Sequence, residues 1–569
     1  MTRENFRHQF WLECGDCGHR SIFVRPLKVC ENCGGKWLDA RYDYDTIRKQ
    51  WPAALRERPF DMWRYRELLP LLDDTYKVSK GEGGTPLLHA VNLGLMLGCP
   101  HIYVKDERQG PTGSFKDRQA SLGISVMKEH GITEAIVAST GNVAISYSAY
   151  SALAGIKMWT FLTSLVPSEK MQEVALYGSE VIKVTATYDL TKQVAADFAA
   201  SKGIFLDRGI RGISSREAMK TLAFEIAEQL PGLLDDSLPR EGNAPWRSPD
   251  WYFQAVSGGM GPVGVWKGFE ELKMMGLVDQ MPKLANIQAA GCAPMVNSFD
   301  KGLEEAEPVL NPQTLVITIA TGTPGPAYGY LSRIVREHGG AFEAVTDEET
   351  FRAMHVMAKL DGISMEPAAA AAFAGVFNLL RKGVIKRDQV IVVNCSGHTF
   401  PVEKHLLGDE WARTLEMPPE IKASEHETER TTIEEGLLGS LEQLDERVRS
   451  IAILEDDPQA RLLLRRILQT RGEYRIFEAE DGLSGLEMVR RERPDIILLD
   501  LMMPGMDGFE VLDALKSDEQ MSDVPVVVIS AKELTAAERK RLSSQTDMLM
   551  QKGDFTDEEL LEEILKRAS

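Results

Sequence analysis

Short apolar runs alternate with mixed, helix-like stretches along most of this chain. AIVAST (135–140), KMWTFL (157–162), WYFQAV (251–256), TLVITIA (314–320) and QVIVVNCSG (389–397) are rich in β-branched and aromatic residues and read as buried strands. Such alternation from about 46 to 408 predicts an α/β fold with largely parallel strands. A second, smaller α/β pattern fills 449–569, with strand-like runs in SIAILEDD (450–457), PDIILLD (494–500), VPVVVISAK (524–532) and DMLMQKG (547–553). Between the two patterns, 409–432 is polar and reads as a linker. Leucines at 437, 438, 441 and 444 give 433–448 the spacing of a short amphipathic helix, so linker and helix together span 409–448. The stretch 231–250, rich in Pro, Asp and Ser, reads as a surface excursion. No internal repeat is present.

Length and charge narrow the picture. A chain of 569 residues is too long for one core and should hold about three or four units. Its net charge of −20 and pI near 5.1 argue against a general nucleic-acid binder, which needs a basic face. No apolar run reaches the roughly 18 residues of a membrane span. The opening MTRENFRHQFWLE is polar and lacks the apolar core of a signal peptide. These features predict a cytoplasmic protein that engages neither nucleic acid nor membrane.

The seven cysteines fall into two groups. Cys99, Cys292 and Cys395 are scattered in apolar surroundings and read as buried thiols. Cys14, Cys17, Cys30 and Cys33 form two C-x-x-C knuckles separated by residues 18–29. Two residues between cysteines let both thiolates face one point, and two such knuckles complete a tetrahedral sulfur site for structural Zn²⁺. Gly18, Gly34 and Gly35 permit the tight turns. Residues 1–45 are therefore expected to form a zinc ribbon. The plainer alternative is a ribbon that has lost its metal.

Four segments of the larger pattern carry chemistry. PTGSFKDR (111–118) follows the strand-like HIYVKDE and places Lys116 in the first turn of a helix, where it could form a Schiff base with an aldehyde cofactor. STGN (139–142) offers Asn142 as a donor to a phenolic oxygen. SGGMG (257–261) is a glycine-rich strand-to-helix turn that can cradle phosphate on main-chain N–H groups. NCSGH (394–398) offers a hydroxyl for a pyridine nitrogen. Alone, each is a common connector or a solvated side chain. Four in order are a constellation.

With GEGGTPLL (81–88), KTLAFEIAEQL (220–230), NIQAAGCAPM (286–295) and DGISMEPAAA (361–370), these motifs make 78–408 resemble threonine synthases and their fold-type II pyridoxal-phosphate (PLP) relatives, related to tryptophan synthase beta. An N-terminal ribbon also occurs in that family. The resemblance implies two α/β subdomains and a dimer. It implies that Lys116 holds PLP and then serves as base for the substrate Cα proton. Asn142 would bond the phenolic oxygen. Ser257, Gly258, Gly259, Met260 and Gly261 would seat the phosphate, and Ser396 would face the pyridine nitrogen. Two departures bear on the substrate. The phosphate loop lacks the family's usual asparagine. DRGIRGISSREAMKT (207–221) lacks the family's Asn-Ser and Asn-Pro pattern, although Arg208, Arg211 and Arg216 stand there.

The C-terminal pattern places acidic residues where parallel strands end. One sheet edge would gather Glu455, Asp456, Asp500, Ser530 and Lys552, a set suited to Mg²⁺ and phosphate. This stretch resembles the flavodoxin-like receiver domain of response regulators. The resemblance implies that Asp500 accepts a phosphoryl group from a histidine kinase or phosphotransfer protein. Asp456, Asp500 and the Met502 carbonyl would ligate Mg²⁺, with Glu455, Ser530 and Lys552 in support. Leu549 replaces a common aromatic switch residue, and Gly553 the usual proline. A receiver fold kept only for dimerisation is the plainer reading.

Three functions follow. The leading one is a PLP-dependent lyase converting O-phosphohomoserine to threonine, a carbon–oxygen lyase acting on phosphates, regulated by receiver phosphorylation. The second is a β-replacement synthase making a cysteine- or cysteate-like product. The third is a non-catalytic PLP fold used in signalling.

Overall fold

The computed structural model describes residues 10–22, 29–235, 237–238, 245–398, 449–469, 474–518, 521–530, 535, 538, 541–542, 546 and 548–551. The expected linker and helix at 409–448, and Lys552 and Gly553, lie outside them. The chain divides into two units, the first made of 1–90, 101–355 and 364–402, the second of 91–100, 356–363 and 403–569.

Among the described residues, the first unit holds three sheets. Phe10–Cys14 (β1), Arg20–Ile22 (β2) and Leu38–Tyr42 (β3) form an antiparallel sheet in the order β2-β1-β3. Alternate residues of β1 and β3 are buried, the period expected of a sheet with one covered face. A six-stranded sheet runs β12-β11-β10-β13-β5-β4. Its strands are Leu87–His89 (β4), Ile102–Asp106 (β5), Trp251–Ala255 (β10), Lys283–Ala289 (β11), Gly340–Val345 (β12) and Ile391–Cys395 (β13). All neighbours are parallel except β4 against β5. Every residue of β5 and β13 is buried, so helices cover both faces and the sequence of these strands reads as a continuous apolar run. A four-stranded parallel sheet, β8-β7-β6-β9, is built from Glu134–Ser139 (β6), Lys157–Thr163 (β7), Glu180–Val184 (β8) and Phe205–Leu206 (β9).

The apolar run 314–320, expected as a strand, is not one. Residues Ile317–Ile319 form a 3₁₀ turn, and Asp347 accepts the N–H of Leu315 at 2.7 Å. The β-branched residues favour an extended strand, but the main-chain groups here bond within a local turn and to Asp347 instead of to a neighbouring strand. The excursion 231–250 begins with a buried turn, Pro231–Leu234, and Trp246 packs on Trp51 and Tyr65.

In the second unit, Asp361 caps the helix Val91–Leu97 by accepting the N–H groups of Asn92 and Leu93 at 3.1 and 3.0 Å. Its five parallel strands run β15-β14-β16-β17-β18: Arg449–Leu454 (β14), Tyr474–Ala479 (β15), Ile496–Leu499 (β16), Val526–Ser530 (β17) and Met548–Gln551 (β18). This is the doubly wound order with its switch point between β14 and β16. Asp507 and Glu510 form a reciprocal cap on the helix Gly508–Lys516.

Among the described residues, no helix is long and apolar enough to cross a membrane.

Candidate active site and metal-ligating clusters

In the first unit, four loops leave the carboxyl ends of parallel strands and meet. β5 leads to 110–116, β6 to 139–142, β10 to 257–261 and β13 to 396–398. They line one cavity of about 630 Å³, which contains Lys116, Asn142, Ser257, Gly258, Gly259, Met260, Gly261 and Ser396. Every residue expected around the cofactor is thus gathered in one place, at the edge where α/β sheets bind ligands.

The lysine loop is fastened from two sides. Phe115 N–H donates to the Ser396 carbonyl at 3.0 Å, His398 N–H donates to the Gly113 carbonyl at 2.9 Å, and Ser114 pairs with Gly397. Gly113 takes φ of +72°, which its lack of a side chain permits. On the other side Asp117 accepts the Thr112 N–H at 2.9 Å and hydroxyl at 2.6 Å. Burial pushes the Asp117 carboxyl up to about 6. Lys116 opens the helix Lys116–Glu129, with Nζ 4.1 Å from the centre of the Phe115 ring. Burial lowers its amine to about 8, and the Glu366 carboxylate pulls the other way.

The SGGMG turn starts the helix Met260–Met274, whose first N–H groups have no carbonyl in a preceding turn. Gly259 sits at φ +78°. A Cβ on Gly261 would come within 2.2 Å of Gln254, whereas one on Gly258 meets nothing within 4 Å and faces open space. Ser257 and Thr321 share a hydroxyl hydrogen bond beside it. Helix N-terminus, open cradle and hydroxyls suit a phosphate. With the Lys116 amine and Ser396 lining the same cavity, the residues present fit PLP.

Asn142 begins the helix Asn142–Ala154, and its amide nitrogen lies 2.9 Å from both oxygens of Glu366. Lys170 approaches the same amide from its oxygen end at 3.4 Å. Glu366 and Lys170 are each 2 % exposed. Sequence reasoning quoted Glu366 inside a motif but gave it no role, and missed Lys170, which reads as an ordinary surface lysine. The signal for Glu366 was a carboxylate set before a proline that opens an alanine-rich helix, Pro367–Arg381.

The three arginines separate. Arg208 and Arg211 line the cavity with exposed side chains, and neither guanidinium has an acidic partner among the described residues. Arg216 is withdrawn, donating to the carbonyls of Leu38 and Ile210 and lying 4.2 Å from the Trp37 ring centre.

That withdrawal belongs to a buried junction with the N-terminal sheet. Lys267 donates to the Ala40 carbonyl at 2.7 Å and pairs with Glu217; Tyr42 donates to Glu217 at 2.8 Å; Lys220 bridges Glu217 and Glu271. At the end of the sheet where Cys14 pairs with Leu38, the four cysteine sulfurs lie within 4.8 Å of one another, with Cys14–Cys33 at 3.6 Å and Cys17–Cys30 at 3.7 Å. A tetrahedron with zinc–sulfur bonds of about 2.3 Å has edges of about 3.8 Å, so the donor set fits zinc. The N–H of His19 and the Asn32 amide draw Cys17 down to about 6. At Cys33 the Gly35 N–H is the largest single influence and favours the thiolate, but Cys17, burial, Cys14 and Cys30 together hold that thiol up at about 12, as neighbouring thiolates must repel. Cys99, Cys292 and Cys395 are buried, as expected.

In the second unit, carboxylate oxygens of Glu455, Asp456 and Asp500 also lie within 4.8 Å of one another. Asp500 follows β16, and its Oδ1 accepts the Leu501 N–H at 2.8 Å. Met502 stands exposed in the next turn. Three close carboxylates with a neighbouring carbonyl are a donor set for a hard cation. Ser530 ends β17, as its sequence position implied.

The family model described as pyridoxal-phosphate dependent enzyme matches residues 78–397, and the response regulator receiver domain model matches 451–565. The chain is 38% identical over 387 residues to a threonine synthase of Methanocaldococcus jannaschii, covering 68% of this chain and 91% of that one. It is 34% identical over 390 residues to the threonine synthase of Methanosarcina acetivorans, with the same coverages. A threonine synthase of Mycobacterium tuberculosis is 33% identical over 358 residues, 62% of this chain and 89% of that one. The chain belongs to the pyridoxal-phosphate dependent enzymes, among the relatives of threonine synthase, and carries a response regulator receiver domain at its C-terminal end.

Proposed function

We propose that this protein converts O-phosphohomoserine and water to threonine and phosphate, with Lys116 as the PLP-bearing residue and receiver phosphorylation at Asp500 as its regulator. The observation that carries the reading is the convergence of four sequence-distant loops on one cavity that contains the Lys116 amine.

Each residue has a task in this reading. The N-terminus of the helix Met260–Met274, with Ser257, Gly258, Gly259 and Gly261, seats the cofactor phosphate. Ser396 faces the pyridine nitrogen and Asn142 the ring oxygen. The bound cofactor supplies an electron sink for charge developing on the substrate carbon. Lys116 takes the Cα proton at Nζ. With its amine near 8, roughly a tenth is neutral at pH 7, against well under a thousandth for an ordinary lysine. Arg208 and Arg211, unpaired among the described residues, hold the anionic leaving group. Cys14, Cys17, Cys30 and Cys33 hold a structural zinc. In the receiver, Asp456, Asp500 and the Met502 carbonyl hold Mg²⁺ with Glu455 beside them, while Ser530 and Lys552 meet the phosphoryl group donated by a kinase or phosphotransfer protein.

The test is the visible spectrum of the purified protein with PLP, titrated in turn with O-phosphohomoserine, O-phosphoserine and O-acetylserine while phosphate release is followed. O-phosphohomoserine should shift the band and release phosphate, and Arg208→Gln or Arg211→Gln should raise its KM about tenfold or more without affecting O-acetylserine binding. A response to O-phosphoserine or O-acetylserine alone transfers the protein to β-replacement. A protein that stays colourless with added PLP has no such chemistry.

A further inference from the structure

The Asn142 amide is held from both ends by groups of opposite kind. Its nitrogen lies 2.9 Å from each Glu366 oxygen, and its oxygen lies 3.4 Å from Lys170 Nζ. Lys170 Nζ is itself 3.7 Å from Glu366 Oε2. An amide's two ends have the same shape and differ only in what they offer, so partners decide its orientation. An ammonium can only donate and a carboxylate can only accept. A flipped amide would set oxygen against carboxylate and N–H₂ against ammonium, leaving both ends mismatched.

The partners are fixed in turn. Glu366 stands immediately before its helix, and its own N–H donates to the Gly397 carbonyl at 3.2 Å. A Cβ at Gly397 would fall 2.6 Å from Glu366 Oε1, so the glycine leaves the carboxylate its place. Lys170 rises from the helix Ser168–Leu176 with its Cδ 3.4 Å from where a Cβ of Gly141 would stand.

We propose that Lys170 and Glu366 are a pair of positioning residues that fix the donor end of Asn142 and set the charge balance felt by the Lys116 nitrogen. The proposal rests on the PLP reading of the cavity. Glu366 shares the cavity with Lys116 and favours a proton on it, and Lys170, 3.7 Å from Glu366 Oε2, offsets that carboxylate's charge. Asp189, Lys192, Asp207, Arg208 and Arg211 line the rest of the cavity, and Cys395 precedes Ser396; none of them is altered by the substitutions below.

The test is a pH titration of the visible band of the PLP-loaded full chain, with melting temperature followed in parallel. Glu366→Gln should lower the titration midpoint by about one unit, and Lys170→Met should raise it, because the first removes the neighbouring negative charge and the second leaves that charge without its counter-ion. Lys170→Arg should restore the wild-type midpoint. Opposite shifts are a signature that loosened packing cannot produce. Should Glu366→Gln fail to fold, Lys170→Met and Lys170→Arg decide the matter between them. Midpoints that stay put, or move in the same direction, overturn the proposal while leaving the PLP reading intact. A wild-type protein with no visible band removes that reading and the proposal with it.

Discussion

The N–H of Phe115 donates to the carbonyl of Ser396 at 3.0 Å, tying the loop that carries the lysine to the loop that follows β13. Next to this bond, Gly397 is the position where any side chain would strike Glu366 and come within 3.2 Å of Asn142. Gly397→Ala should therefore disturb the cavity more than the fold. Overpacking of this kind costs about 1–3 kcal/mol. The expected result is a roughly tenfold or greater loss of PLP affinity, read by absorbance titration, with a melting temperature shift of only a few degrees.

Lys116 should capture PLP with a pH dependence of its own. Only the neutral amine attacks an aldehyde, and burial puts its titration near 8 rather than 10.5. The rate of colour development on adding PLP to the cofactor-free protein should rise about tenfold per unit up to near pH 8 and then level off. A rise that continues past pH 10 would mean an ordinary exposed lysine. Lys116→Ala should develop no such band.

The buried charges under the N-terminal sheet should make that junction acid-sensitive when weakened. Burial alone would push Glu217 up, but Lys220 and Lys267 hold it down to about 2. A carboxylate depressed on folding contributes stability above its unfolded value near 4.5, lost as pH falls through the folded one. Lys267→Met raises that folded value. It should cost about 3–5 kcal/mol at pH 7, because the charge left behind is buried. Melting curves between pH 3 and 7 should show acid unfolding beginning at higher pH than in the wild type.

Metal content tests the cysteine cluster. The wild-type chain should carry about one equivalent of zinc, and Cys30→Ser should carry far less. Chelation of the wild type should lower its melting temperature towards that of the variant. A metal-free wild type as stable as the loaded one would make the cluster four thiols and nothing more.

Asp500→Asn should abolish Mg²⁺-dependent binding of beryllofluoride, measured by calorimetry on the full chain, while leaving the melting temperature within a few degrees. If the wild type binds no beryllofluoride, the carboxylate cluster is a remnant. If it binds but threonine formation is unchanged, the receiver does not regulate this activity.

The sequence by itself determined the class of each fold and singled out the loop residues that the structure gathers around one cavity. Strand periodicity, glycines at turns and the C-x-x-C spacing are local properties, set within a few residues, and the motifs at 111–118, 139–142, 257–261 and 394–398 each lie within one strand-to-helix turn. Local preference failed at 314–320, where β-branched residues promised a strand but the main chain bonds within a local turn and to Asp347 instead. Only the tertiary structure decided what depends on distance in space. It turned Arg216 towards Leu38 while leaving Arg208 and Arg211 at the cavity. It also brought Lys170 and Glu366 to opposite ends of Asn142. A charged side chain carries no local mark of whether it will be solvated or buried against a partner. That outcome is fixed when packing excludes water and the charge must be met by whatever the chain has folded beside it.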